Sequence, residues 1–163
     1  MIIRRPTFFE LRFLRGIANF QFGRNAGYVL IPDNILVSIS PATGRIRHVL
    51  IEDKIVLTLR PSDALFSLHI LGGKLLHENY PFPMFRVVVK KDVASFIAEG
   101  HDVFAKHVVN VDKKVRAGDE VIIVDEDDRF LAVGRCKLSP SEMLSLKRGI
   151  AVRVRHAIRK KRR

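Results

Sequence analysis

Few side chains in this 163-residue chain could do covalent chemistry, and their spacing argues for binding instead. Cys136 is the single cysteine. Arg135 and Lys137 flank it and would favour the nucleophilic thiolate, but within a strand it reads better as a small packing residue. His48, His69, His77, His101, His107 and His156 include no HxxxH pair and no neighbouring cysteine cluster, so no zinc site is expected. The acids at 119–128 could suggest cation binding, but their DEDD run lacks the glycine and ligand spacing of a calcium loop and reads as a solvated hairpin tip. Leu71-Gly72-Gly73-Lys74 is too short for a phosphate loop, which needs GxxxxGK followed by Ser or Thr. No metal, cofactor or catalytic group is expected. What remains is positive charge, and its chemistry is the neutralisation of phosphates.

That charge is large: 29 Lys and Arg against 17 Asp and Glu give +12 and a pI near 10.4. Nucleic acid is the usual partner of such a surface, through phosphate contacts and counterion release. An anionic membrane would call for a basic amphipathic helix, a lipidation signal or a spanning segment, and none is read here. Thermophilic enrichment in Lys would also raise Glu, which the lopsided ratio argues against. Residues 1–81 hold ten bases and six acids, and residues 82–163 hold nineteen and eleven, so +8 of the +12 lies in the second half. Seven Lys or Arg and no acid follow from Arg153 onward, and six acids crowd between Asp119 and Asp128. One cysteine and no secretory signal predict a reducing, cytoplasmic setting.

The elements that must hold these charges are legible from period and punctuation. Phe8, Leu11, Leu14, Ile17 and Phe20 recur at helical spacing, with Thr7 as cap and Gly23 as stop, and predict a core-packing helix. Strands follow at ILVSI, RIRHVLI, IVLTL and LFSLHI as a meander, then a short helix near 73–78. Tyr80-Pro81-Phe82-Pro83 stiffens the chain and marks a domain boundary. Beyond it the reading is a strand at 85–89, a helix at 93–99 capped by Asp92 and ended by Gly100, and a strand at 103–109. Strands at VIIV and 130–137 follow, then a capping box at Ser139-Pro140-Ser141-Glu142 opening a helix over 140–147. The last strand, 150–155, alternates Ile150, Val152 and Val154 against Ala151, Arg153 and Arg155. The fold class is α+β: a small N-terminal α+β domain with an antiparallel meander over 1–81, a partly closed β-barrel over 82–157, and a basic tail over 158–163.

The second half, through RVVVKKDVASFIAEGHDVFAKHVVNVD, RAGDEVIIVDEDDRFLAVGR and SPSEMLSLKRGIAVRVR, resembles the PUA domain, an RNA-binding module. FLRGIANFQFGRNAG, TGRIRHVL and LTLRPSDALFSLHI resemble the small patch-forming domain that precedes it in archaeal tRNA-guanine transglycosylases and archaeosine synthases. The family's large catalytic barrel has no room here, so the chain is expected to be the C-terminal half of such an enzyme as its own polypeptide. The resemblance implies binding to the acceptor stem and 3′ end of tRNA, with a separate catalytic transglycosylase-like subunit as partner. Carried over by position, it implies an RNA groove lined by Gly100, His101, Asp102, Phe104 and Lys106, by Arg153 and Arg155, and more weakly by His107, Lys137 and Arg148.

The physics suits that assignment, because a glycine turn admits a phosphate close to the backbone and unpaired nucleotides stack on exposed rings. Three functions compete: a non-catalytic tRNA-binding subunit in archaeosine-type modification, a ribosome-associated protein or translation factor, and an autonomous RNA-modifying enzyme. The first is the expectation. With about six phosphates neutralised, log K against log salt would fall with a slope of roughly −4 to −5. Phe20, Phe22 and Tyr28 are either core aromatics or a docking surface, the core being the simpler expectation.

Overall fold

The structure, a computed structural model, describes residues 1–159. The expected KKRR tail, residues 160–163, lies outside the described residues. The chain divides into two compact units, Met1–Asn79 and Tyr80–Arg163.

In the first unit, α1 (Phe8–Phe22) opens on a reciprocal capping box. The Thr7 hydroxyl accepts from the Glu10 N–H, and the Glu10 carboxylate accepts from the Thr7 N–H. Gly23, at φ +103°, ends the helix. A short helix, α2 (Ala26–Leu30), crosses it closely: a side-chain carbon at Gly27 would lie 2.8 Å from the Arg15 carbonyl oxygen. Arg15 donates to the Ile31 carbonyl and Asn19 accepts from the Gly27 N–H, so both tether α2 to α1. This fixes which face of α1 turns inward.

Leu14, Ala18 and Phe22 are buried, while Phe8 and Phe20 are 66% and 83% exposed. The expected core stripe through Phe8 and Phe20 is therefore corrected. Gly27 lets the α2 backbone approach α1 at Arg15, which turns Leu14, Ala18 and Phe22 inward and leaves Phe8 and Phe20 outside. Strands β1 (Ile2–Arg4), β2 (Ile35–Ile39), β3 (Ile46–Ile51), β4 (Lys54–Leu59) and β5 (Phe66–Leu68) form an antiparallel sheet in sequence order, and α3 (Ile70–Asn79) follows. The meander is as expected; β1 and α2 were too short to read.

The second unit is a curled six-stranded sheet. It contains β6 (Arg86–Val89), β7 (Val103–Phe104), β8 (Val108–Val111), β9 (Glu120–Val124), β10 (Phe130–Cys136) and β11 (Ile150–Ala157), in the order β7-β11-β10-β9-β6-β8. All neighbours are antiparallel except β6 and β9, which run parallel. Two helices, α4 (Ala94–Ala98) and α5 (Pro140–Ser145), complete it, and the Ser139–Glu142 capping box opens α5. The core gathers Val87, Val89, Ile97, Val121, Ile123, Val152 and their neighbours.

Three local expectations change. The strand expected at 103–109 is broken by a tight turn at Ala105–His107. Asp92 is no helix cap: it sits inside a turn of 3-10 helix, Lys91–Val93, and α4 starts without a side-chain cap. Most consequentially, the acidic turn is a solvated tip only in part: Glu126 and Asp127 are exposed, but Asp125 and Asp128 are drawn into the fold. Asp125 is buried and accepts from the N–H groups of Asp127 and Arg129. Asp128 pairs at 3.1 Å with Arg86, itself 1% exposed and donating to the carbonyls of Tyr80 and Met84. Asp127 pairs with Lys91, and Glu126 accepts the Lys91 N–H. A buried guanidinium needs a carboxylate to offset its desolvation, so Asp128 is committed to Arg86, while Glu126 and Asp127 stay at the surface.

Candidate nucleic-acid interface

Several cations gather where β9, β10 and β11 lie side by side. Register pairs Glu120 with Arg135 and Arg135 with Arg153, setting all three in a row across the sheet. Lys137 follows Arg135 at the two-residue repeat of one strand face. A register irregularity between Val133 and Gly134 adds a residue on β11 and turns Arg155 towards Glu120. The two form a bidentate pair, with Arg155 Nη2 at 3.1 Å from Glu120 Oε2, and the Glu120 side chain is fully buried. Arg135 Nε donates to the Gly118 carbonyl at 2.9 Å, which orients its guanidinium.

Arg135, Lys137, Arg153, Val154 and Arg155 together line a cleft of about 270 Å³. Four cations over one buried carboxylate leave a net positive site. Such a site suits oxygen anions, and guanidinium forks suit phosphate in particular.

Gly134 explains why the strands can close here. A side-chain carbon at that position would lie 2.3 Å from the Arg153 carbonyl oxygen and 2.9 Å from Val152 Cγ1. Strict alternation on β11 fails at the same end, since Ala151 and Val152 are both fully buried across the irregularity between Ile150 and Val152. Arg153 still points outward.

The turn at Gly100–Asp102 is joined to this strand. Gly100 adopts φ +105° and its N–H bonds the Ile97 carbonyl. Asp102 Oδ1 accepts the Val154 N–H at 2.9 Å, so this acid acts as a strap holding the turn against β11. His101 packs edge-on against the exposed ring of Phe96. Phe104 is 44% exposed and meets His107 edge-on. Burial, then the Lys106 and Lys90 ammonium groups, hold the His107 pKa below its usual value. Lys90 and Lys106 are exposed. The Gly149 carbonyl accepts the Ala105 N–H, which brings exposed Arg148 next to this second group.

The expected residues thus fall into two sets: Lys137, Arg153 and Arg155 in the cleft, and Phe104, Lys106, His107 and Arg148 around the β7 turn, with Gly100, His101 and Asp102 at the bend beside β11. Sequence reasoning missed Arg135, Glu120, Lys90 and Phe96. The two-residue spacing of Arg135 and Lys137 was a usable signal for the first. An acid embedded in GDEVIIV was a usable one for Glu120.

The groups weighed for covalent chemistry are committed elsewhere. Cys136 is buried, and burial first, then Asp119 and Glu120, push its thiol up to about 12, opposite to what its basic flanks suggested. His48 Nδ1 lies 2.7 Å from Ser38 Oγ, and His69 Nε2 lies 2.7 Å from Thr58 Oγ1. Among the described residues no three His, Cys, Asp or Glu side chains gather to hold a metal ion, and no helix is long and apolar enough to cross a membrane.

Comparison with known proteins also divides the chain in two, near residue 84. Residues 12–83 match the patch-forming domain C2 of tRNA-guanine transglycosylase, and residues 85–158 match the PUA domain. The tRNA-guanine(15) transglycosylase of Methanothermobacter thermautotrophicus is 39% identical over 146 residues, covering 90% of this chain and 22% of that protein. Its counterpart in Pyrococcus furiosus is 40% identical over 160 residues, covering 98% and 27%. The chain therefore spans about a quarter of the length of these curated relatives. A hypothetical protein of Pyrococcus horikoshii OT3 superposes with a TM-score of 0.75 at 25% identity, covering 98% of this chain and 96% of that one. A conserved PUA domain protein of Thermoplasma acidophilum gives 0.65 at 21%, covering 96% and 93%, and speaks for the fold alone.

Proposed function

The chain belongs to the family that joins a patch-forming C2 domain of tRNA-guanine transglycosylase to a PUA domain, and we propose that it binds tRNA without contributing a catalytic group. The cleft of Arg135, Lys137, Arg153 and Arg155 carries this reading. Its guanidinium groups would take phosphates of the acceptor stem, whose helical shape is recognised through backbone and 2′-hydroxyl contacts. The unpaired 3′ end would run towards the Gly100 bend and stack on Phe104 or Phe96, both exposed. Asp102 and Glu120 shape the site and touch no phosphate in this reading. The base exchange would fall to a separate transglycosylase-like polypeptide, for which this chain positions the tRNA. The greater part of each curated relative lies outside the matched quarter, which supports that division of labour.

Fluorescence anisotropy with a labelled tRNA tests the binding. Removing the single-stranded 3′ end is expected to weaken affinity at least tenfold, roughly the loss of one stacked base at about 1–3 kcal/mol. Arg153→Gln is expected to flatten the salt slope by about 0.7–0.9, the share of one phosphate contact. Binding indifferent to salt would overturn the reading. Guanine exchange into tRNA by this chain alone would overturn its non-catalytic half.

A further inference from the structure

The outer face of α1 carries a line of rings that the function above does not use. At about 100° per residue, Phe9, Phe13, Gly16 and Phe20 fall within a narrow strip, diametrically opposite the buried Leu14, Ala18 and Phe22. Phe9, Phe13 and Phe20 are 78%, 56% and 83% exposed. Their spacing of four, three and four is the a/d repeat by which one helix seats against another. Gly16 is exposed, with nothing within 4 Å of a carbon added there, so the strip has an open notch between Phe13 and Phe20. Exposed Arg12 lies alongside it on the helix, and exposed Arg5 and Arg24 precede and follow α1 in the chain. A solvated helix face has no reason to hold three phenylalanines, and patches of this kind mark interaction sites.

We propose that this strip is the docking face for an apolar helix rimmed with Asp and Glu, carried by another polypeptide. Three observations choose that occupant. The a/d spacing and the notch fit a helix, whose side chain would fill the space over Gly16. These exposed arginines favour an acidic rim. A second copy of this chain would bring +12 against +12, with arginines facing arginines. The inference rests on the reading above, of a chain that works with a separate polypeptide. In the curated relatives the greater part of the protein lies outside the matched region, and it could supply such a helix.

The probe is a labelled synthetic 21-residue helix with Leu at a and d and Glu at e and g, titrated with the full chain. A second peptide, with Lys at e and g, is the control. The acid-rimmed helix is expected to bind, and the Lys-rimmed one at least tenfold more weakly. Phe9→Gln/Phe13→Gln/Phe20→Gln and, separately, Gly16→Tyr are expected to lose at least tenfold in affinity for the acid-rimmed helix. Circular dichroism should show both variants folded, and their tRNA affinity should be unchanged. Equal binding by wild type and both variants, or no binding by the wild type, overturns the proposal. So does a wild-type dimer in sedimentation that the triple variant abolishes, which would make a second copy the occupant. Loss of tRNA or oligouridine binding in the triple variant would make RNA the occupant. Failure of wild-type tRNA binding would sink the earlier reading and leave the peptide result legible.

Discussion

The two units present opposite chemistries on similar inner construction. The first buries an apolar sheet face and exposes rings along α1, whereas the second buries Arg86, Glu120 and Asp125 and exposes cations along β10 and β11. The difference lies in what each core leaves over. In the first unit the charges pair at its surface, as Arg4 with Glu10, Arg15 with Asp33 and Arg60 with Asp63. In the second, Asp128 turns to the buried Arg86 and the buried Glu120 to Arg155, while Lys137 and Arg153 face solvent. Net charge thus understates the second unit's positive surface, because part of its negative charge is occupied.

The sharpest way to break the contrast is Arg86→Met. It leaves Asp128 and the carbonyls of Tyr80 and Met84 facing an apolar side chain, and should destabilise the second unit by about 3–5 kcal/mol. Denaturant unfolding should then show the second unit's transition moving ahead of the first. An unchanged transition would mean the buried pair contributes nothing.

Next in size is a test across one helix. Leu14→Ala should cost about 2–5 kcal/mol, whereas Phe20→Ala, six residues on and facing water, should stay within about 0.5 kcal/mol. Equal costs would contradict the orientation of α1.

On the charged side, Arg153→Gln should weaken tRNA binding about tenfold, near 1.4 kcal/mol, with no change in thermal midpoint, since Arg153 is exposed. The smallest effect concerns acid. The side-chain hydrogen bond from Arg4, helped by the Thr7 N–H, lowers the Glu10 pKa from 4.5 to about 2. A depressed folded-state pKa gives stability that is present above 4.5 and is lost as pH falls towards about 2. Glu10→Gln should flatten that decline in the first unit and leave the second unit's acid limb unchanged, as read by unfolding midpoints between pH 5 and 2.

The sequence told more about elements than about which way they face. Thr7, Gly23, Gly100 and the Ser139–Glu142 box marked real ends because capping is local chemistry, visible within four residues. Phe8 and Phe20 misled because α1 offers apolar residues on two sides, and only the approach of α2 at Gly27 chooses between them. In the cleft, Arg153 and Arg155 could be named, but the turn of Arg155 onto the buried Glu120 depends on a register irregularity at Gly134 that no local pattern announces. The acidic turn misled for a similar reason. Its partner Arg86 lies 42 residues away in the chain.

The strand order of the two sheets has a consequence for synthesis. The first sheet pairs each strand with its sequence neighbour, so it can assemble nearly as fast as the ribosome extrudes it, at roughly 5–20 residues per second. The second cannot begin that way: β6 sits between β8 and β9, and among the described residues β7 pairs with β11 alone. Its opening segment, and with it the row of cations, must wait for the distal strands to leave the exit tunnel. A nascent chain stalled before Ile150 would carry a finished first unit and an RNA-blind second one.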